Sequence, residues 1–173
     1  GLLEPGQPLP HCNCGFDGDA ESVASLTGIE NNLLPYWLTR YPDHELGRAE
    51  SMAKAAKLVR AHGEKGDPMA LAVFEQQAKA VGRLFTIAAN FTDPDAYFLG
   101  GGVVEAERHF REWFLTKVRE NTALKEEQAE AARSSFDRVE AEHRAGRHTG
   151  QHAPAPEGDR AALATERQHA EDV

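Results

Sequence analysis

Cysteine is scarce in this chain, whose 173 residues include two, Cys12 and Cys14. A disulfide between them would be strained, because a ring closed by three residues departs from normal disulfide geometry. Two cysteines so close together suit a reducing compartment. The sequence also lacks an apolar run of the roughly 20 residues that cross a bilayer, and no basic segment followed by an apolar one marks a secretory signal. These absences predict a cytoplasmic protein that does not enter a membrane.

Positive charge is also in short supply. Lys and Arg number 19 against 28 Asp and Glu, which gives a formal net charge of -9. Nucleic acid and anionic membranes both attract a basic face, so this balance argues against non-specific binding to either. Hydrophobic residues make up 40% and charged residues 27%, as expected of one globular domain. Residues 1–10 are rich in Pro and Gly and begin without Met, which predicts a fragment or a chain that starts in mid-fold.

The spacing of apolar residues predicts a mostly helical protein. Asp19 suits the N-cap of a first helix that ends near Gly28, and Pro35 lies near the start of the second. Asp67 followed by Pro68 is a strong start signal for the longest helix, since a capping Asp precedes a proline at the first helical position. The predicted helices cover residues 20–26, 33–41, 46–62, 68–89 and 103–121.

The two longest helices carry apolar stripes at steps of three or four residues, and the first of them should be the central core helix. Its stripe consists of Leu71, Phe74, Ala78, Val81, Phe85 and Ala88. The stripe of the second helix consists of Val103, Ala106, Phe110, Trp113, Phe114 and Val118.

Between these helices, residues 96–99 are the one clear strand, which runs into the glycine triplet 100–102. Beyond residue 121 large apolar side chains become rare. We expect a charged helix at 122–145, supported by close charge pairs, and a flexible tail at 146–173 that buries too little surface to offset its ordering entropy.

Cys12 and Cys14 lie on a loop punctuated by glycines, with possible ligands on either side. Two thiolates can converge on one soft cation, with imidazole or carboxylate completing its shell. The neighbours suited to that role are His11 and Asp19. The alternative is two reduced thiols on an ordinary loop, because a Cys-x-Cys pair alone is a weak zinc signal.

Two blocks of the sequence resemble the ROK family (repressor, open reading frame, kinase) of sugar kinases and sugar-responsive repressors. The family's zinc loop has the pattern Cys-x-Cys-Gly-x-x-Gly-Cys-x-Glu, followed by a helix with Ser and Gly. The matching residues, in order, are Cys12, Cys14, Gly15, Gly18, Glu21, Ser25 and Gly28. Asp19 takes the place of the family's third cysteine. The second block, residues 93–103, is similar to the family's Asp-Pro, strand and Gly-Gly-Gly segment at the nucleotide site.

The resemblance implies an α/β fold, namely the C-terminal half of an actin-like, ribonuclease H-like ATPase, with this chain predominantly helical. It makes residues 1–18 an extended lead-in and zinc-type loop, and residues 19–121 the C-terminal lobe. It also implies a structural zinc ion. The zinc ligands that match or could substitute for those of the family are His11, Cys12, Cys14 and Asp19.

The resemblance assigns further roles to an acid and to the glycine triplet. Glu21 would accept hydrogen bonds from sugar hydroxyls, a task that suits an acceptor-only carboxylate. Gly100, Gly101 and Gly102 would let the backbone approach a nucleotide at the start of the following helix. Read without the family, Glu21 is a first-turn acid stabilised by the helix dipole, and the triplet is a turn that needs positive φ.

Phosphoryl transfer from ATP to a hexose needs a base, cradled phosphates with Mg²⁺, and both substrates held in line. In the family, the base Asp and the Asp-x-Gly phosphate loop precede the zinc loop, and neither occurs before residue 11 here. We therefore predict the C-terminal part of a ROK sugar kinase that is inactive alone, with ATP and Mg²⁺ bound only together with the missing half. Apolar helix faces left uncovered by that half predict a homo-oligomer. The alternatives are the sugar-sensing half of a ROK transcriptional repressor and a non-catalytic helical interaction protein.

Overall fold

The structure, a computed structural model, describes residues 2–94 and 96–124. All of them belong to one compact unit, Gly1–Ser135. The predicted flexible tail, and the predicted charged helix after its first residues, lie outside the described residues. Every regular element in the described part of the chain is helical, apart from one antiparallel bridge between His11 and Asp17.

The first helical stretch is longer than predicted and is interrupted once. It comprises α1 (Glu21–Ala24), α2 (Leu26–Gly28), a π-helical turn (Ile29–Leu33) and α3 (Leu34–Arg40). Ser25, which is extended at φ -94 and ψ 168, separates α1 from α2, and its hydroxyl accepts a hydrogen bond from the Gly28 amide. The predicted end near Gly28 is wrong because Gly28 itself is helical, and the predicted helix at 33–41 continues the same stretch. Pro35 lies in the first turn of α3, as predicted.

The middle of the chain forms a helical hairpin of α4 (Met52–Glu64) and α5 (Pro68–Thr92). A separate 3₁₀ turn, Glu45–Arg48, precedes α4, so the single helix predicted from residue 46 is two elements. Asp67 caps α5 as predicted, because its side chain accepts a hydrogen bond from the Ala70 amide at 2.8 Å.

The segment after α5 differs from the prediction. Residues 96–99 do not form a strand, because a strand needs a hydrogen-bonded neighbour and the residues described here contain no other strand to supply one. Residues 103–106 form turns, so α6 spans Arg108–Glu120 instead of beginning at residue 103. Tyr97 fixes this segment on α5, since its ring stacks on Phe85 with centroids 4.5 Å apart.

The core lies between α5 and the helices that surround it. Fully or nearly fully buried members from several elements are Leu33, Val59, Met69, Val73, Phe74 and Phe110. The stripe predicted for α6 is confirmed at Phe110, Phe114 and Val118, each of which is buried. None of the helices in residues 2–94 and 96–124 is long and apolar enough to cross a lipid bilayer.

Candidate functional site

The cysteine loop is a short hairpin held by its own backbone. The Cys12 amide donates to the Phe16 carbonyl at 2.9 Å, and the Gly18 amide donates to the Pro10 carbonyl at 2.7 Å. Gly15 and Gly18 take positive φ values of 92° and 74°, which a side chain would strain. These turns fold the loop so that both cysteines face the start of α1.

Three side chains converge in this loop. One ligand atom each from Cys12, Cys14 and Asp19 lies within 4.8 Å of the others. The Cys14 Sγ is 3.3 Å from Asp19 Oδ2, while Asp19 Oδ1 accepts the Ser22 amide at 2.8 Å and so is fixed at the helix start. The structure therefore brings together three of the four side chains predicted from the sequence.

The hydrogen bonds of this cluster favour a protonated Cys12 sulfur in the metal-free protein. The hydrogen bond with Cys14, followed by that with Asp19, raises the pKa of Cys12 to about 12. The same contact with Cys12, together with the Ser22 amide, lowers the pKa of Asp19. Two sulfurs and a carboxylate oxygen are donors that zinc accepts, so the residues fit a metal ion that displaces the thiol protons.

His11 has a different partner. Its Nδ1 lies 2.7 Å from Asp17 Oδ1, and both side chains are exposed. Its backbone is held by Asn32, whose side chain accepts from the His11 amide and donates to the His11 carbonyl. A role for His11 as the fourth ligand stays a prediction.

Glu21 is the first residue of α1 and is exposed beside the cysteine loop. It borders a shallow indentation, shared with His11, Cys12 and Gly28, that has no volume for even a water-sized sphere. Binding pockets for small molecules usually have volumes of roughly 300–1,000 Å³. A sugar at Glu21 would therefore need further walls beyond those that the described residues supply.

A glutamine that sequence reasoning missed positions the start of this helical stretch. Gln77 is buried in α5, and its Nε2 donates to the carbonyls of Val23 and Ser25 at 3.0 and 3.3 Å. It thereby ties the helix that begins with Glu21 to the core. The sequence feature that could have indicated this buried contact is the pair of glutamines, Gln76 and Gln77, within the predicted central core helix.

The glycine triplet lies against α4. The Arg60 Nη1 donates to the Gly102 carbonyl at 2.7 Å, and Gly101 has a φ of 93°. A Cβ at Gly100 or Gly101 would meet no atom within 4 Å, so internal packing does not explain these glycines. Because α6 begins at Arg108, the helix predicted to start directly after the triplet is displaced by several residues.

A comparison with protein families matches the ROK family over residues 3–147. The chain belongs to the ROK family. Membership implies an actin-like ATPase fold, and the helical architecture of the described residues is consistent with a part of one.

Two curated relatives are glucokinases. That of Halalkalibacterium halodurans is 30% identical over 127 residues, which cover 68% of this chain and 37% of the relative. That of Thermotoga maritima is 30% identical over 106 residues, which cover 61% of this chain and 33% of the relative. The chain thus matches about a third of the length of each.

Proposed function

We propose that this chain is the C-terminal part of a cytoplasmic ROK sugar kinase, which transfers a phosphoryl group from ATP to a hexose. The observation that carries the proposal is the family match, joined to a similarity to two glucokinases. The same similarity favours a kinase over the sugar-sensing half of a repressor and over a non-catalytic interaction protein.

In this proposal Glu21 contributes one contact to the sugar. Its carboxylate is exposed at the start of α1, and the loop beside it is fixed by backbone hydrogen bonds. An exposed carboxylate can accept hydrogen bonds from two hydroxyls of one sugar. Glucose is the hexose that we propose first, because the matched relatives are glucokinases.

Gly100, Gly101 and Gly102 contribute part of the nucleotide site. The open space around the first two glycines would let a nucleotide approach the backbone closely, and Arg60 holds the third in place. ATP and Mg²⁺ would be bound by this segment together with the remainder of a complete kinase, which also supplies the base and the phosphate loop.

The first experiment measures phosphoryl transfer. The purified chain is mixed with ATP, Mg²⁺ and a panel of hexoses, and we expect no turnover above background. Turnover would contradict the proposal that catalysis needs residues beyond this chain. In the same chain joined to the N-terminal part of a ROK glucokinase, Glu21→Gln should raise KM for glucose, whereas Glu50→Gln, at an exposed acid between the 3₁₀ turn and α4, should not.

The loop also fits a structural zinc ion, with Cys12, Cys14 and Asp19 as its ligands and His11 as the proposed fourth. Zinc would fix the loop relative to the first turn of α1, because Asp19 also accepts the Ser22 amide of that turn. The ion has no step in the reaction. Its test is described in the Discussion.

We also propose that the chain associates with a second copy of itself. The C-terminal half of α5 and the segment after it expose large apolar side chains, which are Leu84, Ile87, Phe91 and Phe98. Sedimentation velocity should show concentration-dependent dimerisation that Phe91→Ser weakens and Leu58→Ser, at an exposed apolar position of α4, does not. A monomer at every concentration would contradict this proposal.

A further inference from the structure

The ends of three helical elements meet at a second group of metal-ligating side chains. His44 precedes the 3₁₀ turn, His62 lies in the last turn of α4, and Asp67 caps α5. Their side chains are largely buried, with exposed fractions of 10%, 17% and 24%. None of them belongs to the cysteine loop or to the glycine triplet.

The distances within this group suit a small divalent cation. One ligand atom from each of His44, His62 and Asp67 lies within 4.8 Å of the others. His44 Nε2 and Asp67 Oδ1 are already 3.2 Å apart. Zinc bonds of about 2.0–2.1 Å to nitrogen and oxygen place tetrahedral ligand atoms about 3.3 Å apart. Small side-chain rotations of His62 would therefore complete the arrangement.

We propose that His44, His62 and Asp67 form a second metal site, which binds Zn²⁺ or a similar divalent transition-metal ion. Two imidazoles and a carboxylate are a ligand set that this class of ion accepts with a fourth position left for another donor. Glu45 is placed to fill that position, since its Oε1 is 3.5 Å from His62 Nε2 and its side chain is 76% exposed.

Metal binding should break one of the hydrogen bonds made by these side chains and leave another intact. His44 Nδ1 accepts the Leu46 amide at 3.1 Å, so in the metal-free protein the proton of a neutral His44 ring is on Nε2. Coordination through Nε2 moves that proton to Nδ1 and breaks the bond to the Leu46 amide. Asp67 keeps its cap, because the Ala70 amide and a metal ion can share a carboxylate.

Such an ion would join elements that the chain brings together only in the folded state. It would tie the start of the 3₁₀ turn to the end of α4 and the beginning of α5. A ligand that binds the folded state alone stabilises it by mass action. The proposed ion would therefore stabilise the helical hairpin of α4 and α5, and this role is independent of the proposed kinase activity.

The test separates this site from the cysteine loop and from surface histidines. In a Cys12→Ser/Cys14→Ser background, Zn²⁺ titration by calorimetry should still show a bound equivalent. Its affinity should fall at least about 10-fold in His62→Gln and in Asp67→Asn. His109→Gln is the matched control, because His109 lies on α6 against the Glu64 carbonyl and outside the group.

Two control measurements distinguish loss of this site from misfolding of the variant and from metal bound elsewhere on the chain. Asn caps helices as well as Asp, so Asp67→Asn should keep the metal-free thermal midpoint of the background protein. Zn²⁺ should shift the Leu46 amide resonance in the background protein but not in His62→Gln. Equal affinities in His62→Gln and His109→Gln, or an unmoved Leu46 resonance, would overturn the proposal.

Discussion

Asn121, the residue that caps the C-terminal end of α6, packs directly against Gly82 of α5. A Cβ at position 82 would lie 2.8 Å from the carbonyl carbon and oxygen of Asn121, closer than real Cβ contacts. The contact cannot relax easily, because the neighbouring Ala123 amide donates to the Thr86 hydroxyl at 2.9 Å and fixes the chain beside α5. The absence of a side chain at Gly82 thus lets the end of α6 lie directly against α5.

Gly82→Ala should destabilise the protein by about 1–3 kcal/mol, since a backbone must move to admit the methyl group. The free energy lost to this steric clash should exceed the helix-propensity gain of about 1 kcal/mol that replacing Gly by Ala brings in a helix interior. Urea denaturation of both proteins measures the difference. Gly47→Ala is the control, because its Cβ would make an ordinary contact with Leu38 at 3.6 Å. Equal midpoints for wild type and Gly82→Ala would contradict this packing.

The cysteine loop should bind cobalt with the optical signature of thiolate ligands. Cys12→Ser and Cys14→Ser should each weaken the sulfur-to-cobalt charge-transfer band, and Asp19→Asn should weaken cobalt affinity while keeping its hydrogen bond to the Ser22 amide. Asp43→Asn, an exposed aspartate elsewhere, is the control. A band of full intensity in either cysteine variant would exclude the loop as the site.

Gln76 links three separate parts of the chain inside the core. It is 1% exposed, its Oε1 accepts the Trp37 indole N–H at 3.1 Å, and its Nε2 donates to the Leu2 carbonyl at 3.1 Å. Gln76→Leu should cost about 1–3 kcal/mol, because it leaves the partly buried Trp37 indole donor and Leu2 carbonyl acceptor without this partner.

A double-mutant cycle with Trp37→Phe isolates the indole contact. Gln76→Leu should cost less in the Trp37→Phe background, where the indole donor is already absent, with a coupling energy of roughly 0.5–3 kcal/mol. Urea denaturation supplies all four free energies of unfolding. Additive costs would mean that the indole contact contributes nothing.

Local signals in the sequence predicted the elements that depend on neighbouring residues. Asp67 and Pro68 predict the start of α5 because capping and proline geometry act within one turn. The spacing of Phe110 and Phe114 predicts the buried face of α6 for a similar reason, since a helix places such residues on one side. The cysteines and Asp19 converge because a short loop joins them.

Features that depend on distant residues could not be predicted in this way. Residues 96–99 have a strand's composition, but strand formation requires a partner that composition does not reveal. The contact of Arg60 with Gly102 joins residues 42 positions apart. The approach of His44 to Asp67 likewise joins residues that lie on opposite sides of α4 in the sequence, which no local pattern contains.

Tyr97 should make the attachment of its segment to α5 sensitive to alkaline pH. Its hydroxyl donates to the Phe85 carbonyl at 3.1 Å. Burial, followed by the negative charge of Asp93, raises the pKa of Tyr97 above its ordinary value of 10.0. A raised pKa means that the fold favours the neutral phenol, so this stabilisation is fully present below about pH 10 and is lost as the pH rises through the folded-state pKa.

Tyr97→Phe should therefore be less stable than wild type at about pH 8, by roughly 0.5–1.5 kcal/mol for one hydrogen bond. The difference should shrink as the pH rises past the pKa of the folded state, because ionised Tyr97 can no longer donate to Phe85. Urea denaturation at about pH 8 and about pH 11 measures both differences. Tyr41→Phe, which removes a phenol packed against Trp37 instead, controls for the loss of a hydroxyl elsewhere. A Tyr97→Phe difference that stays constant or widens at high pH would show that the hydroxyl does not hold this segment on α5.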